Sequence, residues 1–323
     1  MTTRDAVLVL LLVAVVVQPG GPVSAQPRET AGVITEIKVG QGKAEIRAAG
    51  GPWRPVAPLQ ALRAGDEVRT SDGASVVVLL SGGRGVAKVD AKNSPYVVGS
   101  VVADDGKVDK ARALVAGSVK FLTAGPKEPP KAVLATRSMA RPPEVLTPRN
   151  GPVLPGPLAF EWLGNQVSRY TVRIVGPSDV IVERKGVVGA RFEYPADAPP
   201  LQPGVGYRVE VIAPNQPPQG ATFEIVDPAR ARAVQADLGA LESALGADTS
   251  PSSIAVARAG YLAELGLLHD ARLAVLAALA RDPEEPVLHT LLGTLYTQTG
   301  LPRQAAAAFD EAQSLMTRGT PKP

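Results

Sequence analysis

Apolar and polar positions alternate differently in successive parts of this chain. Arg4 precedes an unbroken apolar run from Ala6 to Val17, Pro19-Gly20-Gly21-Pro22 breaks any helix there, and Val23-Ser24-Ala25 sets small residues before Gln26. The run of about 12 residues falls short of the roughly 20 that cross a bilayer core, so the pattern predicts a cleaved secretory leader over 1–25. After Gln26, charged residues or Pro and Gly interrupt every apolar stretch before spanning length. From Ala31 to Val98 the apolar positions are short and turn-bounded. Val33, Ile37 and Val39, then Ala44 and Ile46, Val68, Val76 to Leu80, Val86 and Val89, and Val97-Val98 predict strands, with turns at Gly65-Asp66 and Asp72-Gly73. Gly82-Gly83-Arg84-Gly85 leads into Val86-Ala87-Lys88-Val89 without a Walker lysine, so it reads as a hairpin and not as a phosphate cradle.

A Pro-rich basic linker is expected at 137–142, inside a stretch carrying Lys107, Lys131 and Arg149. Beyond it, Leu158 to Trp162, Tyr170 to Val175, Val180 to Glu183, Arg191 to Tyr194, Tyr207 to Ile212 and Thr222 to Ile225 again predict strands. Strict alternation puts Tyr170, Val172 and Ile174 on one face. At Asp227-Pro228 the character changes: Asp as cap and Pro in the first turn predict a helix, and Ala and Leu dominate from there. Gly266 and Gly300, Ala271 and Ala305, and Ala278 and Ala312 recur at a spacing of 34 residues, which predicts paired helices packing through small residues.

Composition then excludes chemistry. A length of 323 residues predicts two or three domains, and 45% apolar but only 4% aromatic residues predict cores of Val, Leu and Ala. A net charge of +3 argues against a dedicated nucleic-acid binder. The absence of cysteine removes disulfides, thiolate zinc sites and cysteine nucleophiles. His269 and His289 are too few for a zinc site and read as packing or surface residues. Asp72-Gly73 and Asp104-Asp105-Gly106 read as turns, not calcium loops. The adjacent acids Glu284-Glu285 and Asp310-Glu311 project about 100° apart on a helix and read as solvated faces, not acid and base. No catalytic residue, cofactor or metal is expected.

The stretch Leu62 to Thr70, followed by Ser75 to Leu80 and Ser81-Gly82-Gly83, resembles the core of a FecR-type domain. Gly32-Val33, Trp53-Arg54-Pro55-Val56 and Leu114 to Phe121, the last as a closing strand pair, extend that resemblance over 31–136. Residues 143–227, with Trp162 and the segment Leu201 to Tyr207, resemble a fibronectin III or immunoglobulin-like sandwich. Residues 228–318 resemble tetratricopeptide repeats, with Gly266, Ala271, Ala278, Gly300, Ala305 and Ala312 as packing positions. The expected fold is therefore multidomain: an all-β FecR-like domain, a β-sandwich, and an all-α helical-repeat domain. The repeat resemblance implies peptide binding in a groove made by the first helices, near Ile254 to Leu265 and Val287 to Thr299. Together the resemblances imply a non-enzymatic, periplasmic or secreted envelope scaffold or sensing adaptor that binds envelope proteins or peptides and no nucleic acid. The competing expectation is a peptidoglycan- or exopolysaccharide-binding module using Trp53, Tyr96, Lys107 and Lys110.

Overall fold

The computed structural model describes residues 29–82, 85–99, 110–128 and 142–318. The leader expected over 1–25, Lys107, the Asp104-Asp105-Gly106 turn and most of the linker expected over 137–142 lie outside the described residues.

Eight strands open the described chain: β1 Thr30–Lys38, β2 Ala44–Arg47, β3 Arg54–Pro55, β4 Ala61–Arg63, β5 Glu67–Thr70, β6 Ser75–Leu80, β7 Val86–Asp90 and β8 Tyr96–Val97. They form two sheets, in the orders β4-β1-β6-β7 and β3-β2-β5-β8. Val68 is fully buried while Arg69 faces outward, as alternation on a half-solvated sheet requires. In β6 the run Val76 to Leu79 is buried on both faces. Gly65 and Gly73, at φ 86° and 80°, make the left-handed turns flanking β5. A register shift between Ile34 and Glu36 bulges β1 against β6.

Helix α1 spans Lys110–Ala124. This corrects the expectation of a closing strand pair at Leu114 to Phe121. The buried set Leu114, Val115, Ser118, Val119, Phe121 and Leu122 follows a helical period, and Ala111, Ala113 and Ala116 are strong helix formers. Val115, Val119 and Gly117 gave that segment a strand-like look because β-branched residues and glycine weaken local helix preference; packing on α-helical neighbours overrides it.

The middle strands are β9 Glu144–Thr147, β10 Gly151–Val153, β11 Ala159–Leu163, β12 Arg169–Val175, β13 Val180–Val188, β14 Arg191–Glu193, β15 Gly206–Ile212 and β16 Gln219–Ile225. Sheets β14-β11-β9 and β10-β16-β15-β12-β13 enclose their own core, with β10 parallel to β16. Phe160 meets Phe223 edge-on at 5.5 Å between sheets, and Trp162 meets Tyr170 at 5.4 Å.

Five helices follow: α2 Pro228–Leu245, α3 Pro251–Glu264, α4 Leu268–Leu279, α5 Pro286–Gln298 and α6 Pro302–Arg318. Asp227, Ser250 and Glu285 cap α2, α3 and α5 with Pro next in line. Pairs α3–α4 and α5–α6 are hairpins that turn at Gly266 and Gly300, and Ala271 and Ala305 are fully buried. Ala278 and Ala312 are nearly so.

These helices are not a separate all-α domain, which corrects the expected fold class. One core runs from Ala31 through α1 to Phe309, so the two N-terminal sheets and all six helices form a mixed α and β body. The physical reason lies in α5, where Pro286, Val287, Leu288, Thr290 to Tyr296 are all buried. A helix apolar all round needs cover on every side: α6 and α4 supply part of it, and α3 and β1 add to it. Among the described residues, no helix is long and apolar enough to cross a membrane.

Candidate partner-binding groove

Strand β1 crosses the N-terminal ends of α3 and α5, and polar side chains fasten it there. The Glu285 carboxylate accepts from the Val287 N–H at 3.2 Å, capping α5, and from the Ile37 N–H at 3.0 Å. Lys38 Nζ lies 3.0 Å from Glu285 and 2.7 Å from Asp282. Burial pushes the Glu285 carboxyl up to about 7, against the pull of Lys38 and the two N–H donors. Partial burial opposes the Lys38 charge, but Asp282 and Glu285 outweigh it and hold its pKa above the usual lysine range. Ser252 donates to Asp282 at 2.9 Å, Thr35 donates to Ser253 Oγ at 3.1 Å, and Ser250 donates to Glu36. Glu285, expected on a solvated face, is instead fully buried, because the end of a helix, not its flank, sits at that position.

A cavity of about 690 Å³ opens beside this fastening, between α3 and α4. Its floor is small and apolar: Ile254, Ala255, Ala274, Ala277 and Ala278. Glu36, Ser250 and Asp282 close one end, already engaged by the contacts above. Arg258 and Arg281 stand on the rim. Arg258 is paired with Glu242 of α2 at 2.5 Å. Arg281 is exposed and has no ion pair or side-chain hydrogen bond among the described residues, which leaves an uncompensated cation at the mouth. A volume in the usual range for binding clefts, with few polar groups and one free charge, suits recognition of an apolar segment bearing an acid.

The groove expected along the first helices is open only at the start of α3, where Ile254, Ala255 and Arg258 line the cavity. Leu122 and Ser118 of α1 lie against Gly260 of α3, where an added Cβ would sit 2.9 Å from Leu122 Cγ. Thr294 of α5 donates to the Pro126 carbonyl at 2.7 Å, and β1 packs on both helices. The chain itself covers the rest of that face.

Of the residues expected to bind polysaccharide, Trp53, Tyr96 and Lys110 lie among the described residues, and each has internal contacts. Trp53 lies under two guanidinium groups, Arg47 at 4.6 Å and Arg69 at 4.1 Å from the ring centre, and these pair with Glu67 and Glu45. Tyr96 pairs in register with the buried Val68 at the other edge of that sheet and packs toward the core. Lys110 is held by Asp237 at 2.5 Å, which also accepts from Tyr261.

His269 is a half-buried packing residue at a joint between the sandwich and α4. Thr147 Oγ1 lies 2.5 Å from its Nδ1, the Leu154 N–H donates to Asp270 at 3.1 Å, and Arg272 pairs with Glu161 at 2.8 Å, so the sandwich is fixed to α4. Burial, reinforced by Arg272, lowers the His269 pKa to about 4, and burial raises that of Asp270 to about 6. His289 contacts the Pro283 carbonyl at 2.8 Å. Among the described residues, no group of three or more His, Cys, Asp or Glu is placed to hold a metal ion.

Sequence reasoning missed Ala274, Ala277 and Arg281. The signal was present: Ala271 to Arg281 carries alanine on more than one side of a helix, and an alanine face not needed for one hairpin contact is free for another. Comparison with protein-family models finds none that matches, and comparison with curated proteins finds no match.

Proposed function

We propose that this protein is a non-enzymatic, exported scaffold or sensing adaptor of the cell envelope that holds a protein partner in the α3–α4 groove. The groove carries this reading: it is a sizeable cleft with a small-residue floor and an unpaired arginine on its rim. The buried ionisable groups nearby are spent on joining segments of the chain, Glu285 to Ile37 and Lys38 of β1 and Arg272 to Glu161, which suits a rigid support for a binding face. The apolar run from Ala6 to Val17 with small residues at Val23-Ser24-Ala25 supports export to the periplasm or beyond. No observation favours the polysaccharide reading, since Trp53 and Lys110 have internal partners.

The test is retention of envelope proteins on the immobilised chain, compared with an Ala274→Trp/Ala277→Trp variant that fills the cleft. A partner retained by the parent and lost from the filled variant, with unchanged melting temperature, supports the reading. Retention indifferent to the two tryptophans, or retention of purified cell-wall polymer in place of protein, overturns it.

A further inference from the structure

The joint between the sandwich and the mixed body holds another, much smaller cavity, of about 10 Å³. Thr147 and Arg149 reach its wall from the sandwich, Leu268, His269 and Arg272 from α4, and Tyr296 from α5. Arg272 is only 7% exposed, yet its Nη1 meets no hydrogen-bond partner among the described residues. Its other nitrogens are engaged: Nε donates to the Tyr296 hydroxyl at 3.3 Å and Nη2 to Glu161 at 2.8 Å. That carboxylate is shared, because Arg191 also pairs with it at 2.8 Å. Arg149 donates to the carbonyls of Thr299 and Val145, at 2.9 and 3.0 Å, and has no ion pair among the described residues. Helix α4, 12 residues long, begins at Leu268 without a side-chain cap, so its first N–H groups add positive potential at the same wall. The neighbouring acid, Asp270, accepts from the Leu154 N–H at 3.1 Å and does not line the cavity.

The geometry points to a binding site for one small inorganic anion, of the size and charge of chloride, held between the Arg272 guanidinium and the start of α4. The size follows from the cavity, since about 10 Å³ is the room of one water-sized particle and shuts out sulfate, phosphate and organic acids. The charge follows from the wall: two guanidinium cations, an uncapped helix start and no acidic side chain. Water is the competing occupant, and the balance of donors and acceptors disfavours it. Thr299 Oγ1 already donates to the Leu295 carbonyl at 3.0 Å, Thr147 Oγ1 lies 2.5 Å from His269 Nδ1, and the Tyr296 hydroxyl accepts from Arg272, which leaves its proton to donate elsewhere. Donors therefore outnumber acceptors around the cavity. A water's own protons find few partners there, whereas a halide only accepts. An ion at this place ties Arg149 of the sandwich to α4 and strengthens the joint.

Crystals of the full chain transferred into bromide test the site directly, through the anomalous signal of the halide. A bromide peak within hydrogen-bond distance of Arg272 Nη1 is expected. A water in the cavity with no bromide signal, or bromide found only at the surface as an adventitious ion, overturns the inference. In solution, replacing chloride by gluconate at constant ionic strength should lower the melting temperature of the parent, by an amount that grows with the logarithm of the chloride withdrawn. Arg272→Gln should lose that dependence, while Arg258→Gln, altered in the other cleft, should keep it. Melting that is equal in the two salts, or a dependence lost equally from both variants, leaves no ion at the joint and sinks the proposal. If Arg272→Gln does not fold, the bromide map and the chloride series on the parent still decide.

Discussion

Glu285 illustrates how one side chain can serve two neighbours. Its carboxylate caps the N-terminus of α5 and also satisfies a strand N–H, so it remains in a fully buried site where desolvation disfavours its charge. The folded-state pKa near 7 lies above the ordinary carboxylate value, so the folded chain holds a proton that the unfolded chain has lost between about pH 4.5 and 7. This group's contribution therefore falls as pH rises through that window. Asp270, raised to about 6, acts in the same direction, whereas His269, lowered to about 4, makes stability fall as pH drops from about 6.5 toward 4. Glu285→Gln is expected to flatten the decline between pH 4.5 and 7 in urea unfolding series. A variant whose slope matches the parent would show that Glu285 is not the titrating group. Residue by residue, the cap at Asp227 was legible because Asp-Pro is a local signal, while Glu285 was not: a neighbouring glutamate and a helix start look alike until β1 arrives from far along the chain.

At the scale of elements, strands with strict alternation were readable and α1 was not. Tyr170, Val172 and Ile174 point inward in β12 as their spacing dictates. Helix α1 mixes helix formers with Val and Gly, and its conformation is decided by the face of α3 it lies on. That contact is close enough to test. Gly260→Leu places side-chain atoms where Leu122 and the Ser118 carbonyl already sit, and the overpacking should cost about 1 to 3 kcal/mol. Chemical denaturation would measure it, and Leu122→Ala in the same chain should recover part of the loss. A Gly260→Leu variant as stable as the parent would mean that α1 does not dock there. The groove was only half legible for a related reason: the alanines of α4 are visible in the sequence, but which of them stay uncovered depends on where α2 and β1 lie.

For the whole molecule, two cores are joined by a few polar contacts. Thr147 with His269, Leu154 with Asp270, Arg149 with the Thr299 carbonyl, and Glu161 with Arg272 fix the sandwich to the mixed body. Arg272 is only 9% exposed at its side chain, so Arg272→Ala leaves Glu161 without one partner and loosens the joint more than a surface pair would. Calorimetry of that variant is expected to show two separated unfolding transitions where the parent shows them closer together. A single unshifted transition would show that the joint contributes nothing. Long-range joints of this kind escape any local reading, since the partners Thr147 and His269 carry no mutual mark in the sequence.

Strand β1 lies inside its sheet yet is fastened by Ser253, Asp282 and Glu285, residues made more than two hundred positions later. During synthesis the first sheets must therefore leave the ribosome with the helix-facing side of β1 bare. Their cover is translated more than two hundred residues later. Such an order of synthesis calls for a holding factor that keeps this early sheet from joining another before its own helices appear.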